Sequence, residues 1–206
     1  MTESWLVPDW PAPARVRAIT TTRAGGVSTG PYASLNLADH VDDAPAAVMD
    51  NRARLAAAAG LPAEPVWLQQ VHGSSVVDLA HAGPGSVADA ACSHRPGQVC
   101  AVLTADCLPV LLCDRRGEHV AAAHAGWRGL AAGVIEQAAA SLQVPAGELL
   151  AWLGPAISAS AYTVGDEVRE AFLDRDPQAA TAFEAVDNDT WRADLYQLAR
   201  QRLAAC

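Results

Sequence analysis

Apolar positions along this 206-residue chain fall into short runs whose period changes from strand-like to helix-like and back. The first 15 residues keep neither period. They are rich in Pro and Trp (Trp5, Pro8, Trp10, Pro11, Pro13) and predict an extended arm packed on the surface. Residues 16–22 predict a short strand that runs into a Gly-rich loop, Thr22-Arg23-Ala24-Gly25-Gly26-Val27-Ser28. Residues 45–60 predict a helix, with Pro45 in its first turn and Gly60 after its last. Residues 66–79 are strand-like but interrupted at His72-Gly73-Ser74, and residues 80–98 are polar and Gly/Pro-dotted, hence loop.

Residues 99–113 are almost continuously apolar, broken by Thr104-Ala105-Asp106 and Pro109. They predict two buried strands, or one strand bent at the polar break. Arg115-Arg116-Gly117 turns the chain into a further buried strand over 120–124, and Ala125-Gly126-Trp127-Arg128-Gly129 turns it into a helix over 130–142. Residues 149–153 predict a strand ended by Gly154-Pro155. A helix follows over 165–173, with Val164, Val168, Ala171 and Phe172 on one face and Thr163 and Asp166 as a capping-box variant. The last helix, 193–204, puts Leu195, Leu198, Ala199 and Leu203 on one side. Strands and helices in this order predict a single-domain α/β protein: a mixed sheet core with helices on its outer faces, its strand order not fixed by the pattern.

Composition adds limits. The chain is 51% hydrophobic, only 5% aromatic, and carries a net charge of −9. Ala and Leu fill much of the apolar quota, which suits packed Ala-rich helices on a sheet. An acidic chain without Lys/Arg clusters is a poor binder of nucleic acid and of anionic membranes. The start, Met1-Thr2-Glu3-Ser4-Trp5, lacks a basic region followed by an apolar one, and no run reaches the length of a membrane span. The expectation is a cytoplasmic protein, monomeric or weakly homodimeric. Cys92, Cys100, Cys107, Cys113 and Cys206 form an odd set without a CxxC pair, which predicts reduced thiols.

The candidate chemistry lies in three runs within the most apolar stretch: His72-Gly73, Asp106-Cys107 and His124-Ala125-Gly126-Trp127-Arg128-Gly129. A thiolate and two imidazoles are ligand types that suit zinc, and three protein ligands leave a position for water or substrate. Spacing alone does not prove that His72, Cys107 and His124 converge; it matches no zinc-finger rule, and a metal-free Cys107–His124 nucleophile–base pair stays open. Asp106 reads either as a cap on backbone N–H groups or as a proton acceptor beside the site. Arg128, ahead of a helix, and Arg23, ahead of Gly25-Gly26, are candidate anion contacts or plain surface cations. His40, His81, His94 and His119 sit in polar surroundings and read as surface residues; the other four cysteines have no obvious partner.

These runs resemble the signature of a known family. Thr21-Thr22-Arg23-Ala24-Gly25-Gly26-Val27-Ser28, Ser34-Leu35-Asn36-Leu37, Gln70-Val71-His72-Gly73, Thr104-Ala105-Asp106-Cys107-Leu108-Pro109-Val110, His124-Ala125-Gly126-Trp127-Arg128-Gly129 and Trp152-Leu153-Gly154-Pro155-Ala156-Ile157 carry the likeness. The family is the laccase-domain or polyphenol-oxidase-like proteins, also called multicopper polyphenol oxidases and peptidoglycan editing factors. The resemblance implies a compact α/β fold, zinc held by His72, Cys107 and His124, and a pocket where Arg23, Asn36 and Gln70 contact substrate or phosphate. Cys107, His124 and Asp106 are then the catalytic candidates and Arg128 a further substrate contact. The implied activity is zinc-dependent purine nucleoside phosphorylase (adenosine, inosine, guanosine or methylthioadenosine, with phosphate), joined by adenosine deaminase. A copper-dependent polyphenol oxidase, a Cys–His hydrolase and a factor editing peptidoglycan precursors are the alternatives. Six His are few for a multicopper enzyme. Family members usually continue past the last helix into a strand-rich tail with Cys-Thr and Ser-Tyr-Arg-Arg motifs, so this chain, ending at Cys206, reads as C-terminally truncated relative to them.

Overall fold

A computed structural model describes residues 5–206. The arm from Trp5 has no regular structure beyond an antiparallel bridge between Leu6 and Thr20, so the strand predicted over 16–22 reduces to that one rung. The first helix, α1 (Pro45–Ala59), is bounded as its punctuation predicts. Pro45 occupies the first turn, and Gly60 ends the helix in the left-handed region at φ 56°, where a Cβ would be strained.

Five strands form the main sheet: β1 (Val76–Asp78), β2 (Ala90–Ser93), β3 (Leu108–Asp114), β4 (Val120–Ala125) and β5 (Leu149–Leu153). Their order is β1-β2-β4-β3-β5, with β1 parallel to β2 and every other pair antiparallel. The mixed sheet and its flanking helices are those of an α/β domain. Strand β3 starts only at Leu108, after the polar break; residues 99–107 are irregular, so neither the two strands nor the bent strand expected over 99–113 forms, and the apolar residues before the break pack as loop. Pro109 sits in this central strand without leaving an unpaired rung. It lies opposite His124, whose N–H goes instead to Asp89, and its own carbonyl accepts the Gly154 N–H beyond the end of β5.

Strand β2 is the main departure from the pattern, because it lies inside the stretch expected to be loop. Its residues, Ala-Ala-Cys-Ser, are all buried and alternate between two cores. Ala90 and Cys92 face the large cluster with β3, β4 and the helices; Ala91 faces a smaller cluster with Leu68, Leu79 and Ala88. Small side chains flanked by polar residues carry no β-propensity signal, and tertiary burial makes the strand. Conversely, 66–79 holds only three strand residues plus a bridge from Gln69 to Val87.

Beyond β4 come α2 (Trp127–Ala132) and α3 (Val134–Ser141), which replace the single helix expected over 130–142. Gly133, at φ 97°, separates them. A second, three-stranded antiparallel sheet, unforeseen in the pattern, is built from β6 (Thr163–Gly165), β7 (Phe183–Asp187) and β8 (Thr190–Ala193) in the order β6-β8-β7. With α4 (Asp166–Leu173) and α5 (Leu195–Ala204) it packs over the α2–α3 layer, and Phe172, Phe183, Leu195 and Leu198 join the same core as β3 and β4. The expected Thr163/Asp166 capping box is not formed. Thr163 pairs with Arg192 in β6, Gly165 caps α4, and the Asp166 carboxylate accepts the Trp191 indole N–H instead. The cap forms one helix later, where Asp194 accepts the Gln197 N–H at the start of α5. No helix among the described residues is long and apolar enough to cross a membrane.

Candidate metal centre

His72, Cys107 and His124 arrive from three different elements. His72 sits in the loop before β1, with backbone in the left-handed region at φ 59°. Cys107 immediately precedes β3, and His124 lies near the end of β4. One potential ligand atom from each lies within 4.8 Å of the other two. The Cys107 Sγ is 3.9 Å from His72 Nε2, and the two imidazoles meet edge to face with centroids 4.7 Å apart. Zinc–sulfur and zinc–nitrogen bonds of about 2.3 and 2.0–2.1 Å, at tetrahedral angles, set S and N about 3.6 Å apart. The donor set therefore fits a zinc-sized ion with a small closing movement. His72 is exposed, Cys107 half-buried and His124 buried, so one side of the cluster is open to solvent.

The group that organises this centre is Asp89, one residue ahead of β2 and fully buried. Its carboxylate accepts the backbone N–H groups of Val71 (3.2 Å), His72 (2.8 Å) and Gly73 (2.7 Å) and the Nδ1–H of His124 (2.9 Å). Three of these bonds hold the strained His72 loop in place. The fourth fixes the His124 tautomer, leaving Nε2 as its free donor. Asp89 was missed in the sequence because it lay in the stretch read as loop; a lone Asp between Ala residues carries no motif.

Gly126 is required by space. A Cβ there would lie 2.8 Å from Cys107 Sγ and 2.9 Å from the Cδ2 of His72. Gln70 acts as a stitch: its amide donates to the Leu103 carbonyl (2.8 Å) and accepts the Leu103 N–H (2.7 Å). That pairing ties the loop before His72 to the segment before Cys107.

Burial pushes the Cys107 thiol pKa up, and the neighbouring carboxylates of Asp106 and Asp89 push it further. Burial lowers the His124 pKa, opposed by its bond to Asp89. A neutral imidazole and a thiol surrounded by carboxylates form a site that favours a bound cation. Asp106 is exposed, and its side chain caps no backbone N–H among the described residues; its backbone carbonyl accepts from Ile157. Tyr162 is half-buried nearby. Burial raises its pKa, Cys107 and Asp106 adding to the rise and Arg128 opposing it.

The other expected site residues are placed as follows. Arg128 is exposed, stacks on the Trp127 ring at 4.4 Å and forms no ion pair among the described residues. Arg23 donates to the carbonyls of Ala33 (2.6 Å) and Pro31 (3.3 Å). Asn36 donates to the Asp43 carboxylate and the Ala38 carbonyl. Asn36 is held in turn by fully buried Asn51, which accepts the Val27 N–H and donates to the Ser28 hydroxyl and the carbonyls of Ser34 and Asn36. Arg23 and Asn36 thus organise one loop system, and their bonds do not reach the three ligands. His40 and His81 are exposed as expected, whereas His94 and His119 are half-buried and bonded to each other.

A family model described as multi-copper polyphenol oxidoreductase laccase matches residues 17–206. The chain belongs to this family. Its relatives include a Pseudomonas aeruginosa protein named purine nucleoside phosphorylase, 57% identical over 205 residues that cover 98% of this chain and 83% of that protein. An Escherichia coli protein named purine nucleoside phosphorylase YfiH is 56% identical over 200 residues, 97% of this chain and 82% of that protein. Among solved structures, Neisseria meningitidis protein NMB0706 matches at a TM-score of 0.94 and 51% identity, over 98% of this chain and 84% of that one. The family's laccase description and its members' phosphorylase names thus imply different chemistry at one fold.

Proposed function

We propose that this chain is a zinc-dependent purine nucleoside phosphorylase acting on adenosine, inosine, guanosine and methylthioadenosine, with an accompanying adenosine deaminase activity. The observation that carries the reading is the convergence of His72, Cys107 and His124 on one solvent-open point, each ligand loop pinned from behind by Asp89 or Gln70. The names of its relatives supply the substrate class. A zinc ion held by these three residues supplies Lewis acidity to whatever occupies its remaining position. In phosphorolysis the ribose C1′–N9 bond breaks, a C1′–O bond to phosphate forms, and N9 takes up a proton. Arg128 is the cation offered to phosphate, and Asp106, exposed beside Cys107, is the group offered for proton movement. Gln70 ties the loop before His72 to the segment before Cys107, and Arg23 and Asn36 are the further side chains offered to substrate or phosphate.

Two observations weigh against the other chemistries. Among the described residues one group of three converging ligands is present, whereas a multicopper oxidase holds several His-rich centres. A metal-free cysteine nucleophile works in electropositive surroundings, but Cys107 is flanked by Asp106 and Asp89, and the imidazole it meets at 3.9 Å is that of His72. The test is a nucleoside panel with product analysis, with and without phosphate, on wild type and Cys107→Ser. Phosphate-dependent ribose 1-phosphate from inosine and ammonia from adenosine are expected, both lost together with zinc in the variant. Loss of activity at unchanged zinc content would point to the cysteine hydrolase; phenol oxidation without nucleoside turnover would sink the proposal.

A further inference from the structure

We propose that His94 and His119 form a second metal site, binding a borderline divalent cation such as zinc or copper(II) through their two Nδ1 atoms. The two residues extend the β2–β4 ladder by one rung: Ser93 pairs with Val120, and His94 and His119 are the next positions outward. Their Nδ1 atoms are 2.8 Å apart, with ring centroids at 4.8 Å and an interplanar angle of 65°. Two imidazole nitrogens on one tetrahedral ion sit about 3.3 Å apart. To chelate, the nitrogens part by about half an ångström and the two rings turn so that their lone pairs, which now lie along the Nδ1–Nδ1 line, converge on the ion.

Both imidazoles are carried on pinned backbone. The His119 N–H donates to the buried Asp114 carboxylate (2.8 Å), and its carbonyl accepts the Asp114 N–H (3.1 Å). The same carboxylate accepts from Glu118 and Arg116, closing the turn. On the other side, the buried Ser93 hydroxyl bonds Arg95 and Gln98, fixing the chain just after His94. Asp114 thus does for the His119 turn what Asp89 does for the His72 loop.

The ring orientation suits chelation too. His94 Nε2 faces the Cys92 sulfur at 3.9 Å, so Nδ1 is the nitrogen turned to His119. On metal binding, the proton on the Nδ1–Nδ1 line passes through solvent to Nε2 of the ring that carries it, so that both rings stay neutral and both Nδ1 lone pairs turn to the ion. Cys92 cannot join the same ion, because it meets the opposite nitrogen. The remaining positions are left to water; a surface concavity beside the pair is lined by His119, with Asp114, Glu118 and Glu148 outnumbering the one cation, Arg116. This site shares no ligand with the centre at Cys107 and stands or falls separately from it.

Zinc titration of the metal-stripped full chain by equilibrium dialysis decides the matter. Wild type should bind two equivalents of differing affinity. His119→Gln and His94→Gln should each lose the weaker one and keep the tighter, and Cys107→Ser should weaken the tighter by at least tenfold and keep the weaker. In the unmutated protein, the imidazole proton resonances of His94 and His119 should shift as the second equivalent is added, a readout that does not depend on any variant folding. A single equivalent in wild type, or a second equivalent that leaves those two resonances unmoved, would overturn the proposal.

Discussion

Asp89 and His124 are bonded twice: the Asp89 carboxylate lies 2.9 Å from His124 Nδ1, and the Asp89 carbonyl accepts the His124 N–H at 2.7 Å. One residue thereby sets both the ring and the backbone of a candidate metal ligand. It also holds the loop of a second ligand through three further N–H bonds. The buried charge is compensated by four donors rather than by a cation, an arrangement that is costly to disturb.

Asp89→Asn tests this coupling. The amide keeps the size but replaces one acceptor oxygen by an NH₂ that faces either the N–H groups of Val71 and Gly73 or the His72 N–H together with the His124 Nδ1–H. Zinc affinity should fall about 10- to 100-fold, the range for outer partners of metal-bound histidines. Stability of the metal-free protein should fall by about 1–3 kcal/mol, from buried donors left unsatisfied. Competition with a chromophoric chelator and urea unfolding of the stripped protein read the two effects separately. Unchanged zinc affinity would show that the ligands hold their places without Asp89.

Gly126→Ala makes the opposite separation. Gly126 has φ −67° and ψ 160°, open to any L residue, so the backbone tolerates alanine. The methyl group, however, would intrude on Cys107 Sγ and His72. The expected result is a melting temperature close to wild type for the stripped protein, with zinc binding and turnover both sharply reduced. A variant that binds zinc as wild type does would mean that the two ligand side chains swing aside, and that the site is looser than its geometry indicates.

What the sequence discloses about this fold divides by residue type. Punctuated and periodic elements are legible: α1 between Pro45 and Gly60, the apolar run that becomes β3, and the face of α5 formed by Leu195, Leu198 and Ala199. The grouping of His72, Cys107 and His124 is legible as a candidate because thiol and imidazole carry their chemistry in their identity. Strand β2 and Asp89 are not. Ala90-Ala91-Cys92-Ser93 becomes a strand through burial between β1 and β4, and Asp89 gains its role from four partners, three of them more than a dozen residues away and the fourth 35 away. The β6–β8–β7 sheet is hidden for a similar reason: β7 is exposed after Phe183 and β8 buries only Ala193, so neither shows the apolar alternation that marks a half-buried strand.

Gln70→Ala should loosen the centre without touching a ligand. Removing the two bonds to Leu103 frees the segment 99–107, which has no regular structure of its own to hold Cys107 in place. Zinc affinity should drop several-fold, and Gln70→Glu should restore only part of it, since a carboxylate accepts from the Leu103 N–H but repels its carbonyl. Amide hydrogen exchange over 99–107, accelerated in the alanine variant, is the accompanying readout. Exchange equal to wild type would mean that the segment is held from elsewhere.

Asp114 ties stability to acid pH. Burial pushes its carboxyl pKa up, but the N–H groups of His119, Glu118 and Arg116 outweigh that, and the net result lies below the ordinary value. A folded-state pKa below the unfolded value, about 3.9, gives stability that is fully present above that pH and lost as pH falls through the folded value. Asp114→Asn should lower the melting temperature at pH 7, because its NH₂ cannot accept from the Arg116 N–H. The gap to wild type should then narrow steadily as pH falls from about 4 towards 2, where the wild-type carboxyl takes up its proton. Thermal unfolding of the stripped protein across that range measures the gap. If it stays constant with pH, the Asp114 carboxylate contributes shape to the His119 turn and no charge-dependent stability.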